Sequence, residues 1–270
     1  MFATIINDCR DDNARARQTS RISSLLKITP AFIGVDSDLE ASMNMIDILD
    51  ATGGQEGVIL VNVAPRGDKT AKWENGTPFA YFWYKKTLVV SSLDGYAFSA
   101  VKKLNLTETV NIFDIHEATK TMQEANFITE AEATRIPFSQ FRSFDFTPRI
   151  GSFMMLGNHV PSTSFDLQEI PELPSAIWCI DNFGNCKTTL TPDQISTDGE
   201  TETRYGKLPY VEKLRDLKDG ETALVRGGSG LDDTRFIELI TQKRNFAKNN
   251  QTKIGDDIFE TKSYFKQATE

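Results

Sequence analysis

The stretch GVILVNVAP (57–65) decides how the first half of the chain folds. Eight residues without a charge, rich in β-branched side chains and closed by a proline, read as a central strand. A strand apolar on both sides must be covered on both sides, which is the habit of parallel sheets. Reading backwards, LEASMNMIDILDATGG (39–54) has a helical run closed by Gly53-Gly54. AFIGVDSD (31–38) is a second buried strand, and DDNARARQTSRISSLLKI (11–28) is a helix with Ile22, Leu25 and Leu26 at helical spacing. Asp11, Asp12 and Asn13 are its capping candidates. FATIIND (2–8) is a strand whose carboxyl end carries Asn7 and Asp8, where an open α/β sheet places its ligand contacts. Reading forwards, FAYFWYKKTLVVSSLDG (79–95) gives two strands around Lys85-Lys86, and YAFSAVKKL (96–104) a short helix. Strand alternating with helix predicts an α/β domain, with a mostly parallel sheet and helices on both faces, over 1–160.

After Pro161 the pattern changes. VPSTSFDLQEIPELPS (160–175) is rich in Pro and Ser and reads as a linker, taken as 161–174. The remainder, 175–270, carries short strand-like runs (AIWCI, CKTTL, TALVRG and RFIELI) broken by Gly and Asp. It predicts a smaller antiparallel β-barrel-like domain. The segment 200–221 reads as an elaboration of that domain without a functional account.

Composition narrows the function classes. A net charge of −8 and a pI near 5.0 oppose the phosphate backbone of a nucleic acid. Three cysteines, Cys9, Cys179 and Cys186, are too scattered for a disulfide framework or a zinc site. Two histidines, His116 and His159, have no metal-ligand spacing, so no metal is expected. No apolar run approaches the roughly 18 residues of a membrane span. MFATIINDCRDD lacks a basic n-region, and the expectation is a cytoplasmic protein without a signal peptide.

One turn is anomalous. Hairpin turns are small and polar because they face water, yet IDNFGNCKTTL (180–190) places Phe183 in the middle of one. This segment resembles the D-x-F-G-N-x-x-T-N motif of the S-adenosylmethionine-dependent chlorinase, fluorinase and hydroxide adenosyltransferase family. Other segments follow in the same order. IINDCRDDNA (5–14) is similar to that family's first strand and loop, GVILVNVAPRGD (57–68) to its V-D-P-G-V-G strand, and LVVSSLDGYAFSAV (88–101) to its P-D-N-G-L-L segment. SQFRSFDFTPRIGSF (139–153) falls where the family has T-F-H-G-R-D-x-F-A-P, and KIGDDIFE (253–260) resembles its closing K-x-G-D.

The resemblance implies an N-terminal α/β domain, a C-terminal barrel-like domain, and a homotrimer that binds a nucleoside between neighbouring subunits. The implied reaction is attack by water or halide at ribose C5′ of S-adenosylmethionine, releasing methionine. S-Adenosylmethionine would be substrate or ligand, with no further cofactor. On this footing Phe183 walls the adenine and Asn185 hydrogen-bonds it; alternatively Phe183 plugs a domain interface and Asn185 supports turn geometry. Asp8 would hold the ribose diol, since a carboxylate can accept two hydrogen bonds, or cap the following helix. Asp11 would meet the methionine ammonium group, or cap; Asp12 lies close enough to compete. Asp94 stands where the family has Asn, and serves either as a ligand contact or as a plain Asp-Gly turn.

Three departures bear on catalysis. The Asp, Arg and His with which the hydroxide-transferring branch handles water are replaced by Ala64, by Ala71 or Lys72, and by Phe141. Gly67 does not restore a halide pocket, and DTRFI (233–237) replaces the segment that meets the methionine carboxylate. Arg66, Asp68, Lys69 and Arg142 are the nearby polar groups able to substitute. No catalytic residue is therefore assigned. An active adenosyl-transferring enzyme, a binder without chemistry, and a ligand-free trimeric scaffold all remain open.

Overall fold

The computed structural model describes residues 1–64 and 77–259. The chain divides into two compact units, with the break between Leu173 and Pro174. Each unit is built on its own sheet.

The first unit contains β1 (Phe2–Asn7), α1 (Asp12–Leu26), β2 (Ala31–Gly34), α2 (Asp38–Thr52), β3 (Gly57–Asn62), β4 (Phe79–Tyr84) and β5 (Thr87–Ser92). These are followed by α3 (Ser99–Lys103), β6 (Thr109–Phe113), α4 (Ile115–Glu124), α5 (Glu130–Arg135), α6 (Arg142–Asp145), α7 (Thr147–Met155) and β7 (Ser162–Asp166). The seven strands form one sheet in the order β2-β1-β3-β5-β4-β6-β7. β2, β1, β3 and β5 are parallel, and β4, β6 and β7 extend them as an antiparallel edge. The expected α/β architecture is present, with its parallel part confined to four strands.

Alternation across β1 and β3 explains the two covered faces. Ala3, Ile5, Val58 and Leu60 share a core with Ile22 and Leu26 of α1 and Ile150 and Phe153 of α7. Successive strand residues point to opposite faces, so Ile6, Ile59 and Val61 turn the other way and are fully buried there. α2 packs on β1 and β3 from that side, and α3 packs on α2. The α2 start is sharp because Ser37 caps it, accepting from the Glu40 amide at 3.1 Å. Gly53 ends it in the left-handed conformation, at φ 59°. The cap at Ser37 also limits β2 to Ala31–Gly34, short of the expected 31–38.

The linker expected over 161–174 is corrected in part. Ser162–Asp166 is β7, paired antiparallel with β6 along its whole length. As an edge strand it needs only one partner and keeps one side in water, so its polar, mostly exposed residues carry no apolar signal. Only the stretch after it, up to Leu173, lacks a strand.

The second unit contains β8 (Ile177–Ile180), β9 (Cys186–Thr188), β10 (Glu200–Thr203), β11 (Gly206–Val211), β12 (Thr222–Leu231), β13 (Thr234–Thr241) and α8 (Phe246–Asn250). They form a six-stranded sheet in the order β10-β11-β12-β13-β9-β8. All its pairings are antiparallel except β11 with β12. The segment 200–221 is therefore part of the sheet, supplying β10 and β11.

The ladder is not a closed barrel: β8 and β10 stand at opposite ends of the sheet. The stretch 255–258 bridges those ends without being a strand. The amide of Ile177 donates to the Asp256 carbonyl (2.9 Å), Ile258 donates to Ser175 (2.8 Å), and Arg204, beyond β10, donates to Ile258 (2.9 Å). Ile258 is fully buried in the core of this unit with Ile177, Cys186 and Leu239. The K-x-G-D-like segment thus has a visible structural role as a clasp.

Candidate functional site

In the first unit β1 connects to β2 on one side of the sheet through α1, and β2 returns across β1 to β3 through α2. The order of strands therefore reverses between β1 and β3, and the carboxyl edge at such a switch point is where open α/β sheets bind ligands. Asp8 follows β1 directly and is buried. Its Oδ2 accepts the Ala64 amide just beyond β3 at 3.0 Å, so the carboxylate spans the switch point. Beside it, Ser92 Oγ at the end of β5 accepts the Val63 amide at 3.3 Å. Behind it, Asn7 donates to buried Gln18 of α1 at 2.9 Å and accepts the Cys9 amide at 2.8 Å. The turn after β1 is thereby fixed from both sides.

Asp11 lies on the same edge but acts as the N-cap of α1, accepting from the Ala14 amide at 3.0 Å. Asp94 lies two residues beyond β5 and is half-buried, and its Oδ1 accepts the Gly95 amide at 2.9 Å. With β3 between them, β1 and β5 are about 10 Å apart, two strand spacings. Asp8 and Asp94 thus follow the two strands that flank β3. The 94–96 turn is held by a residue that sequence reading passes over. Asp38, in the first turn of α2, accepts the Tyr96 amide at 2.8 Å.

Phe183 and Asn185 belong to the second unit. The β8–β9 turn is organised by Asp181, whose carboxylate accepts the amides of Phe183 (2.8 Å) and Asn185 (2.9 Å) and the Asn185 side-chain nitrogen (3.0 Å). Gly184 is required between them: its φ is +85°, and a β-carbon would lie 2.1 Å from the Asn245 side chain. Phe183 is 70% exposed, so within this unit it is not core. A D-x-x-x-N spacing with a glycine inside is the signal that could have identified Asp181 as the organiser.

The positions where chemistry was expected are less polar. Ala64 contributes only its backbone amide. Phe141 is 67% exposed and precedes α6. Arg142 is half-buried, and burial lowers the pKa of its guanidinium. Arg66, Gly67, Asp68, Lys69, Ala71 and Lys72 lie outside the described residues. Behind Phe141, buried Asp145 receives Arg135 at 2.8 and 3.1 Å and Ser139 Oγ at 2.6 Å. Arg149, also buried, pairs with Glu132 at 2.5 Å and donates to the Asp145 carbonyl at 2.8 Å. This ionic knot ties α5, α6 and α7 together.

An open groove between α4 and α5, lined by His116, Lys120, Glu130, Thr134 and Phe138, contains none of these candidates. Among the described residues no group of three or more His, Cys, Asp or Glu could hold a metal ion. No described helix is long and apolar enough to cross a membrane.

Comparison with known proteins places the fold. An uncharacterised conserved protein from Thermotoga maritima superposes with a TM-score of 0.66 at 13% identity, covering 94% of this chain and 98% of that one. A conserved hypothetical protein from Thermus thermophilus superposes with a TM-score of 0.59 at 14% identity, covering 94% and 97%. Both therefore share the two-unit architecture over nearly their full lengths. No family model matches the chain, and no curated protein matches it.

Proposed function

We propose that the chain binds the adenosyl group of S-adenosylmethionine at the carboxyl edge of its first sheet and cleaves it at ribose C5′. The observation that carries this reading is the buried Asp8 carboxylate at the switch point, its Oδ2 oriented by the Ala64 amide. A fixed carboxylate there suits a vicinal diol, and Asp94 lies across the β3 terminus from it. In the reaction, an oxygen of water or a halide would form the new bond to C5′ as the C5′–S bond breaks. The electron pair passes to the sulfonium sulfur, which leaves as the thioether of methionine. With water, the proton is lost to solvent. The sulfonium is already activated, so the protein's task is alignment and exclusion of bulk water. By the resemblance, the working form would be a cytoplasmic homotrimer in which the exposed Phe183 and the half-buried Asn185 of one subunit complete the adenine site of another.

A second reading, binding without chemistry, is favoured by one specific observation. Ala64 and Phe141 stand where a water-handling acid and histidine would be needed, and neither side chain can exchange a proton. Overnight incubation with S-adenosylmethionine, followed by chromatography, separates the two. Release of methionine with adenosine or a 5′-halogenated adenosine supports cleavage. Bound but intact ligand leaves the binder, and absence of binding removes both.

A further inference from the structure

We propose that Asp38 is a positioning residue of this site, holding the 94–96 turn where Asp94 can meet a ligand. The inference rests on the nucleoside reading for its ligand and on geometry alone for the turn. Asp38 Oδ2 accepts the Tyr96 amide at 2.8 Å, while Oδ1 accepts the Leu39 amide at 2.9 Å, so the carboxylate joins the start of α2 to the turn after β5. Gly95 is shaped around it. Its φ is +56°, and a β-carbon there would lie 1.9 Å from Asp38 Oδ2, so this position admits glycine because the carboxylate fills the space. One helical turn further on, Ser42 Oγ accepts the Ala100 amide at 3.1 Å, and Asp38 and Ser42 grip both ends of 95–100 from one helix face.

The same helix end is tied to the other side of the site. Ser37 caps α2, Glu40 Oε2 accepts the Asp36 amide at 3.3 Å, and Asp36 pairs with Arg10 at 2.6 Å, two residues after Asp8. Gly34 makes room for the Arg10 stem, since a β-carbon there would lie 2.8 Å from Arg10 Cβ. The exposed Arg10–Asp36 pair adds little energy by itself. It nevertheless joins the segment that leads into α2 to the loop that follows Asp8.

Adenosine titration calorimetry on the wild type and on Asp38→Ala, Asp38→Asn, Asp94→Ala and the Asp38→Ala/Asp94→Ala double variant tests the proposal. Amide hydrogen exchange at Tyr96 is read on the same proteins. Asp38→Ala should weaken adenosine binding about tenfold to a hundredfold, the scale of one lost charge-assisted hydrogen bond. Asp38→Asn, which keeps an acceptor oxygen, should restore most of it. Once Asp94 is gone, removing Asp38 should cost no further affinity. Losses that multiply in the double variant, or Tyr96 exchange unchanged in Asp38→Ala, would overturn the proposal. If the wild type binds no adenosine while Tyr96 exchange accelerates in Asp38→Ala and recovers in Asp38→Asn, the nucleoside reading fails and Asp38's hold on the turn stands.

Discussion

Asp181 and Asn185 close the β8–β9 turn on each other. The Asp181 amide donates to the Asn185 carbonyl at 3.0 Å, and the Asp181 carboxylate accepts both the amide and the side-chain nitrogen of Asn185. These bonds hold the turn together, and Phe183 is exposed upon it. A pre-organised exposed aromatic suits contact with a ligand or with another protein surface alike.

Removing the frame and removing the ring should therefore have opposite signatures. Asp181→Ala strands two backbone amides and should lower the stability of the second unit by about 1–3 kcal/mol. Phe183→Ala, at an exposed position, should stay within about 0.5 kcal/mol of the wild type. Thermal unfolding measures the first effect. Adenosine affinity, lowered in Phe183→Ala, measures the second.

The ionic knot around Asp145 should give the first unit an acid-labile component. Burial alone would raise the Asp145 pKa, but hydrogen bonds from Arg135 and Ser139 and the charges of Arg135 and Arg21 hold it below the usual carboxylate value. A depressed folded pKa means stability that is present above the unfolded pKa of about 3.9 and is lost as pH falls through the folded value. Asp145→Asn should cost about 1.5–3 kcal/mol near neutrality, the scale of hydrogen bonds to a charged group, because the Arg135 partner is itself half exposed and stays solvated. It should also flatten the acid limb of stability against pH, as measured by denaturant unfolding from neutral pH down through the acid range. An acid limb identical to wild type would refute this role.

Cysteine reactivity should separate by burial. Cys9 is exposed, whereas Cys186 is buried and burial, with the nearby Asp181 charge, pushes its thiol pKa up to about 12. Since the thiolate is the reactive form, a maleimide at mildly alkaline pH should label Cys9 in the folded protein and Cys186 only after denaturation. Peptide mass spectrometry reads the outcome.

The clasp at 255–258 should be indispensable to the second unit. Ile258→Ala should destabilise it by about 2–5 kcal/mol, the range for emptying a core isoleucine site. A change confined to a few tenths in chemical denaturation would show that the sheet ends need no bridge.

Legibility of the fold in the sequence follows burial. β3, β1 and β5 are readable because their residues are apolar on both faces, and α2 because Gly53-Gly54 marks its end; its Ser37 cap escapes because it follows the β2 sequence directly. β7 is unreadable because an edge strand of exposed Ser, Thr and Asp has no periodicity to detect. β10 and β11 escape because they bury little, and of their buried residues Thr201, Thr203 and Leu208 only one is apolar. At the site, Asp8 and Asp94 are legible as polar residues ending apolar strands. Asp38 is not, because an acidic residue in a first helical turn is ordinary there, and its bond to Tyr96 spans 58 positions of sequence. The capping alternative for Asp11 is the contact the structure displays.

The central claim is that the carboxyl edge at Asp8 binds an adenosyl group. Titration calorimetry of adenosine into wild-type protein and into Asp8→Asn tests it most directly. The account predicts saturable binding to the wild type and a loss of about tenfold or more in Asp8→Asn, as a charged hydrogen-bond acceptor is neutralised. Equal affinity in the two proteins, or no heat in either, would contradict it.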